Sequence, residues 1–378
     1  MPLLPSPSRP LPDRLRTTLS APLFARLATP HGVSRYLEHV HPLWTLEGGR
    51  AQVTAIVDET PRMRTFELQT DHAWTGHRAG QHVRLGVTVD GAERTRTYTV
   101  TASEHRADGR ITLTVAREPD GLVSGHLHDR LQVGDIVACS PATGDVVLPD
   151  PRPTDLLLLS AGSGITPALA TLRTLADEGH TGEVRLLHHA KDLADVPARD
   201  ELRALAARPG TTIAIALTDD DAADAPAPLA TLRGRFEASH LDALDVDVAR
   251  TTALACGPHG LLETLEAHFA ELGAADRLTT ERFTPAPLLA RGGPAGGTVT
   301  YETSDTAVTS DGRSLLEQAE DAGLEPAFGC RMGICHTCTR RVTAGAVTDL
   351  RTGRTDDVSD REVDLCVSVP AGDVVVEL

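Results

Sequence analysis

The residues most capable of chemistry in this 378-residue chain are its cysteines, because three of only six fall within the nine residues "CRMGICHTC". Cys330, Cys335 and Cys338 are spaced C-x4-C-x2-C, and Cys366 follows after a polar, turn-rich stretch. Four converging thiolates can hold iron or zinc, whereas a lone CxxC pair can also form a redox disulfide. Zinc sites usually combine two CxxC pairs or add histidines, so this spacing favours an iron site.

The surroundings of these cysteines specify the kind of iron site. A C-x4-C-x2-C run with a distant fourth cysteine is the plant-type ferredoxin spacing, and Gly329 and Gly333 would let amide N–H groups point at the sulfurs. A two-strand pattern ("GGTVTYETSDTAVTS") and a helical period ("SLLEQAEDAGL") precede the loop, and the strand "DVVVEL" closes the segment. Residues 299–378 thus resemble a plant-type ferredoxin. The resemblance implies a β-grasp domain with a 2Fe–2S cluster held by Cys330, Cys335, Cys338 and Cys366.

The glycine-rich segment 291–298 ("RGGPAGGT") predicts a linker between this domain and the rest of the chain. Before it, residues 152–290 alternate apolar strand patterns with helical periods, which predicts an α/β domain with a parallel sheet. In "LLLLSAGSGITP", Gly162 and Gly164 would let a pyrophosphate approach a helix N-terminus, with Thr166 as N-cap and Pro167 as the first helical residue.

A second glycine–proline turn, "CGPHG", follows a later strand of the same domain. Cys256 there could be no more than a small buried residue, but with Gly257 and Pro258 it forms a second turn at a strand end, and together with the upstream "AGSGITP" it strengthens the prediction of a nucleotide site. The segment "TERF" comes next and carries Glu281 and Phe283.

Residues 48–151 contain short strand patterns at regular spacing, which predicts an antiparallel β-barrel. In "RTYT", alternation puts Arg96 and Tyr98 on one face, where they could meet a phosphate and a flat ring, and Thr99 could bond a ring heteroatom. An ordinary strand is the alternative. In "DGLVSGHL", Gly121 and Ser124 would open a helix suited to a pyrophosphate, with Ser124 as N-cap.

The order of these segments resembles the ferredoxin-NADP reductase superfamily, in its oxygenase-reductase form with a C-terminal ferredoxin. The resemblance implies that NAD(P)H reduces a flavin and that the cluster relays electrons to a separate oxygenase or desaturase. It assigns flavin binding to Arg96, Tyr98, Thr99, Gly121 and Ser124, and nucleotide binding to Gly162, Gly164, Thr166, Cys256, Gly257 and Pro258. It places Thr99, Thr166, Cys256, Glu281 and Phe283 at the reacting centre.

Three segments, "HPLW", "FGCRMGICHTC" and "DLRTGR", are similar to actinobacterial oxidoreductases that serve membrane acyl-CoA desaturases, although relatives serve other oxygenases. "SPATGDVVLP" resembles a segment of FAD-binding members and favours FAD over FMN. Lys191 with Asp192 leaves NADPH and NADH both open, with a slight preference for NADPH.

The composition limits the remaining alternatives. A net charge of −17 argues against a nucleic-acid partner, and the absence of a long apolar run or secretory signal predicts a cytoplasmic protein without a membrane span. A non-enzymatic iron–sulfur sensor or carrier is the alternative function. The leader, residues 1–47, is either a helical arm packed on the barrel or an amphipathic helix that touches a partner or a membrane; its arginines are Arg9, Arg14, Arg16, Arg26 and Arg35.

Overall fold

The structure is a computed structural model that describes residues 13–21, 24, 28, 32–46, 48–89, 91–119, 121–219, 221, 223–283, 296–328, 333, 336–351 and 353–378. The chain divides into two compact units, Met1–Glu281 and Arg282–Leu378. Most of the predicted linker, 291–298, lies outside the described residues, as do Gly329, Cys330 and Cys335.

The first unit contains a leader, an antiparallel barrel and a parallel sheet with helices. Its helices are α1 (Asp13–Leu19), α2 (Val33–Glu38), α3 (Leu122–Asp129), α4 (Ile165–Asp177), α5 (Arg199–Ala206), α6 (Ala238–Ala243) and α7 (His259–Glu271). Its strands are β1 (Arg50–Thr60), β2 (Met63–Thr70), β3 (His82–Val89), β4 (Ala92–Thr99), β5 (Arg110–Ala116), β6 (Ile136–Cys139), β7 (Asp155–Ala161), β8 (Glu183–Ala190), β9 (Thr211–Leu217), β10 (Ala230–Arg233), β11 (Thr252–Cys256) and β12 (Leu278–Glu281).

The first six strands form the predicted antiparallel barrel. They are ordered β4-β3-β6-β1-β2-β5, and an antiparallel bridge between Val100 and Leu113 joins the two ends of the sheet. Alternate residues point inward, so that side chains such as Phe66, Leu85 and Leu113 are fully buried in one core. The barrel prediction is therefore confirmed.

Strands β7 to β12 form the predicted parallel sheet, in the order β10-β9-β8-β7-β11-β12. The run Leu156–Leu159 lies in β7 near its centre and is buried on both faces, with alternate leucines in two different core clusters. A continuous apolar strand is what helices on both sides of a sheet require. Sequence patterning did not identify β10 or α6, which are short and only partly apolar.

Two predicted helix caps are wrong. Helix α4 begins at Ile165 with Gly164 as N-cap, so Thr166 lies inside the helix and its hydroxyl donates to the Ser163 carbonyl at 3.0 Å. The 3-10 turn Gly162–Gly164 starts the helical path earlier than Pro167 suggested. Likewise Gly121 is the N-cap of α3, and Ser124 lies in its first turn with its hydroxyl on the Gly121 carbonyl at 3.3 Å.

The described part of the leader packs at its C-terminal end. Leu43, Trp44 and Thr45 are buried, and Glu38 of α2 pairs with Arg50 of β1 at 2.9 Å. The burial of Leu43 and Trp44 in "HPLW" is what the packed-arm interpretation expects, whereas Arg9, Arg26 and the side chain of Arg14 lie outside the described residues. Among the described residues, no helix is both long enough and apolar enough to cross a membrane.

The second unit is mostly β-structure. Its strands are β13 (Thr298–Tyr301), β14 (Thr306–Thr309), β15 (Thr339–Ala344), β16 (Ala346–Asp349), β17 (Thr355–Asp357), β18 (Arg361–Asp364), β19 (Ser368–Pro370) and β20 (Val374–Val376), with helix α8 (Leu315–Asp321). The larger sheet is ordered β14-β13-β20-β15-β18 and the smaller β17-β16-β19. Ser314 and Glu317 cap α8 reciprocally, and the buried Tyr301 hydroxyl donates to the Leu315 carbonyl at 2.9 Å, which fixes the helix on the sheet.

Polar contacts join the barrel to the parallel sheet within the first unit. Arg173 of α4 donates to the Thr101 carbonyl at 2.6 Å, and Arg152 bonds both Glu104 of the barrel and Glu178 after α4. Hydrogen bonds from Arg152, and secondarily from His105, lower the pKa of Glu178 to about 2. The charged Glu178 carboxylate therefore stabilises the unit through its hydrogen bonds with Arg152 and His105 at the junction.

Replacement of Arg152 by Met should destabilise the first unit by about 1–2 kcal/mol at pH 7, between the values for exposed and buried pairs. Because the folded-state pKa of Glu178 is depressed, this contribution is full above about pH 4.5 and is lost as the pH falls towards 2. The melting-temperature difference from wild type should shrink over that window. Arg203→Met, at an exposed pair with Asp200, is the control; a pH-independent difference for Arg152→Met would contradict the assignment.

Candidate active site

The site predicted for a flavin ring begins at the end of β4. Thr99 is 5% exposed, and its hydroxyl has no hydrogen-bond partner among the residues that the structure describes. A buried hydroxyl left without a partner is costly, so an unpaired one marks a place where a ligand atom can bind. Strand pairing sets Thr99 directly opposite His82 of β3.

The neighbouring residues of the "RTYT" segment suit a flat ring and a phosphate. Burial raises the pKa of Tyr98, while the charge of Arg96 opposes that shift, so the phenol stays protonated. The charge of Glu118, three residues before the N-cap of α3, also raises the pKa of Tyr98, so the entrance to α3 lies near the phenol. A Cβ at Gly121 would lie 2.3 Å from the Ser124 Oγ and 2.8 Å from the Glu118 Cβ, so a side chain would crowd the place where the chain enters α3. Among the residues that the structure describes, no side chain caps this helix, which leaves its first amides available to an anion.

The predicted nucleotide turn lies between β7 and α4 and touches the turn after β11. A Cβ at Gly164 would lie 2.1 Å from the Cys256 carbonyl oxygen and 2.8 Å from the Gly257 nitrogen. Gly162 has φ +54°, which favours glycine, although nothing lies within 4 Å of the place of its Cβ. The two glycines therefore do different work: Gly162 turns the chain and Gly164 lets two strand ends meet.

Cys256 and Glu281 end neighbouring parallel strands as register partners. Burial raises the pKa of the Cys256 thiol well above its usual range, and the Glu281 charge adds to the effect, so the thiol is neutral. The Oε2 atom of Glu281 is buried and has no hydrogen-bond partner in the described part of the chain. Pro258 follows as the N-cap of α7.

His82 is a site residue that sequence reasoning missed. Its Nδ1 lies 3.8 Å from Glu281 Oε1, so it connects the barrel strand beside Thr99 to the carboxylate beside Cys256. No motif surrounds His82; only the register of β3 against β4 brings it there. A small cleft opens at this junction, and its lining comes from both domains: Gly80, Val146, Val147, Leu148, Leu158, Leu159, Gly164, Pro167, Ala168, Thr171, Leu254, Ala255, Cys256 and Glu281.

The second unit carries the predicted metal centre. The predicted ligands Cys338 and Cys366 are both buried, and the Gly333 amide donates to Cys366 Sγ at 3.2 Å, as the glycine in the loop predicted. Thiols that receive amide hydrogen bonds suit an iron–sulfur cluster. Phe283 also belongs to this unit and is half-buried, so its placement beside a flavin stays a prediction.

Known families match all three parts of the chain. Residues 50–147 match the oxidoreductase FAD-binding domain, 158–267 the oxidoreductase NAD-binding domain and 299–371 the 2Fe-2S iron-sulfur cluster binding domain. An NADPH oxidoreductase of Mycobacterium tuberculosis is 35% identical, over 94% of this chain and 90% of its own length. The chain belongs to this family of NAD(P)H oxidoreductases. Its flavin is FAD, and a 2Fe–2S cluster carries electrons onward.

Further relatives of the oxidoreductase agree with this arrangement. NADH oxidoreductase HCR of Escherichia coli is 29% identical over 86% of this chain and 97% of its own. The solved structure of phthalate dioxygenase reductase has the same fold, with a TM-score of 0.59 and 22% identity over 87% of this chain and 97% of that one. The predictions of fold class, activity and cofactors are thereby confirmed, and FMN gives way to FAD.

The two turn glycines give a matched test of the oxidoreductase. Gly164→Ala forces apart the turns after β7 and β11, and we expect the KM for NAD(P)H to rise roughly tenfold or more, because small misplacements in a site are costly. Gly162→Ala places a methyl in open space and costs only backbone strain of about 1–2 kcal/mol. FAD content should be unchanged in both variants. Equal KM values for the two would show that the contact with Cys256 has no part in nucleotide binding.

Proposed function

We propose that the oxidoreductase passes electrons from NADPH through FAD and its 2Fe–2S cluster to a membrane acyl-CoA desaturase. When bound, FAD accepts a hydride and releases electrons one at a time, and the cluster carries one electron. One observation supports the path from NADPH to FAD: His82 lies opposite Thr99 and 3.8 Å from Glu281, whose register partner is Cys256, where the FAD-binding and NAD-binding domains meet.

Residues of the barrel orient the flavin in this proposal. The Thr99 hydroxyl bonds a ring nitrogen, which satisfies its buried oxygen. Tyr98 lies against the ring as a neutral phenol, and Arg96 neutralises a phosphate. The first amides of α3, reached through Gly121 and shaped by Ser124, bind the pyrophosphate.

Residues of the parallel sheet orient the nucleotide. Gly162, Gly164 and Thr166 form the turn that takes its pyrophosphate, and the second turn, from Cys256 to Pro258, lies against it. The neutral Cys256 thiol offers a soft, uncharged surface to the nicotinamide, so it does not repel or attract charge there. Glu281 would close the site with its unpaired oxygen, and Phe283 would shield the flavin and yield to the nicotinamide.

The desaturase is proposed from sequence likeness, and an oxygenase, as the general class of acceptor, from the relatives. A reductase subunit of glycine betaine monooxygenase from Chromohalobacter salexigens and the ferredoxin reductase component of 3-ketosteroid-9-alpha-monooxygenase from Mycolicibacterium smegmatis are 27% and 29% identical to this chain. The segments "HPLW", "FGCRMGICHTC" and "DLRTGR" favour a desaturase within that range. NADPH is preferred because the exposed Lys191 follows β8, where a 2′-phosphate would lie.

The order of electron transfer can be tested by removing one cofactor at a time. Cys366→Ser should keep FAD and reduce ferricyanide with NADPH, because ferricyanide can accept electrons from flavin, but it should nearly lose cytochrome c reduction. Arg96→Ala should lose FAD and both activities while the cluster absorbance remains. Cys139→Ser, a buried thiol of the barrel core, is the matched control and should keep both activities. Full cytochrome c reduction by Cys366→Ser would contradict the proposed order.

The acceptor can be tested by reconstitution. Membranes that carry an actinobacterial acyl-CoA desaturase should form the double bond in acyl-CoA when given the oxidoreductase and NADPH. The rate should fall as salt rises. Residues 299–378 contain 15 Asp and Glu against 7 Arg, so the donor domain is acidic, and salt screens its electrostatic attraction to the acceptor. If the oxidoreductase supports turnover of a soluble oxygenase component but none of the desaturase, the desaturase proposal is wrong and that oxygenase is the acceptor.

A further inference from the structure

The segment "DLRTGR", residues 349–354, has no role in the function described so far. It follows β16 in the second unit, and its Arg351 is anchored by Asp349, whose carboxylate accepts from Nη2 at 2.6 Å and from Nε at 3.1 Å. The Nη1 atom of Arg351 donates to the Gly333 carbonyl at 2.7 Å. The guanidinium thus reaches from this turn into the loop that carries the predicted cluster ligands.

Gly333 is held at both of its backbone polar groups. Its carbonyl accepts from Arg351, and its amide donates to Cys366 Sγ at 3.2 Å. Its φ of +67° favours glycine, and a Cβ would lie 2.8 Å from both Arg351 Nη1 and Val367 Cγ2. Arg351 therefore fixes the residue whose amide bonds a ligand sulfur.

Asp364 connects the same arginine to the other ligand segments. Its side chain is 7% exposed; it accepts from Thr339 Oγ1 at 2.6 Å and from His336 Nδ1 at 3.0 Å, and it lies 3.8 Å from Arg351 Nη1. His336 and Thr339 flank Cys338, and Asp364 precedes Cys366 by two residues. A buried carboxylate needs a nearby cation, and among the described residues Arg351 is the arginine paired with it.

We propose that Arg351 is a positioning residue of the 2Fe–2S centre, which clamps the cluster loop and sets the reduction potential of the cluster. Reduction adds an electron to the cluster, so a fixed positive charge beside Cys366 favours the reduced form and raises the potential. The buried Asp364 has the opposite effect, and its pairing with Arg351 limits it. The inference depends on the cluster and not on the identity of the acceptor, so it can fail or hold independently of the desaturase.

Full-length variants separate the charge from the clamp. Arg351→Gln should lower the midpoint potential, measured by redox titration followed by electron paramagnetic resonance. It should also release iron to a chelator roughly tenfold faster or more, as loss of a residue that supports a metal ligand does. Asp364→Asn should shift the potential upward. Arg351→Lys keeps the charge without the paired hydrogen bonds, so its potential should stay near wild type while iron release quickens.

Arg354→Gln is the matched control, since it removes the same charge from the same turn at a side chain that is 76% exposed and pairs with Asp356. It should change neither quantity. Equal potential shifts in Arg351→Gln and Arg354→Gln, or shifts of one sign in Arg351→Gln and Asp364→Asn, would overturn the proposal. If Arg351→Gln assembles no cluster, assembly of the cluster in Arg351→Lys would support the proposal. Failure of Arg354→Gln to assemble a cluster would contradict the proposal.

Discussion

The close approach of Gly164 to the Cys256 carbonyl is the contact on which the first unit's active site depends. It joins the turns at the carboxyl ends of β7 and β11, where a parallel sheet presents its ligand-binding edge. A side chain at Gly164 would separate those turns by the width of a methyl group. Because Cys256 is in register with Glu281 of β12, the same contact sets the distance of that carboxylate from the nucleotide turn.

The junction of the barrel with the parallel sheet also depends on a small number of contacts. Arg152, Arg173 and Glu178 hold the two domains together, and Met63, Ala79 and Leu148 of the barrel join the hydrophobic core around α4. A rigid junction is needed because the flavin site lies on the barrel while the nucleotide site lies on the sheet. His82 and Glu281 face each other across this junction, so their separation depends on how these domains pack.

The second unit arranges charge around its metal site in a comparable way. Asp364 is buried, hydrogen-bonded and paired with a cation, and two of its partners, His336 and Thr339, lie within two residues of the predicted ligand Cys338. Such an arrangement orients the ligands and adjusts the local electrostatic field at once. The acidic character of the domain as a whole acts at longer range, on encounter with an acceptor.

The sequence by itself determined the three domains, the cysteine spacing and the glycine turns, because strand alternation, apolar runs and metal-ligand spacing are local properties of a chain. Through resemblance, and not through distance, it also assigned Thr99, Cys256 and Glu281 to one predicted site. It placed two caps wrongly, at Thr166 and Ser124, because the 3-10 turn and the glycine N-cap depend on backbone angles that residue types only bias.

Only the tertiary structure decided the roles of His82 and Arg351. No motif surrounds His82, and "DLRTGR" carries a resemblance but no role for Arg351. His82 acquires its place from the register of β3 against β4, and Arg351 from the approach of the turn after β16 to Gly333. Both connect segments far apart in sequence, with Glu281 and Gly333 as their partners. Contacts of this kind follow from how strands pair and domains pack, and no short stretch of sequence contains that information.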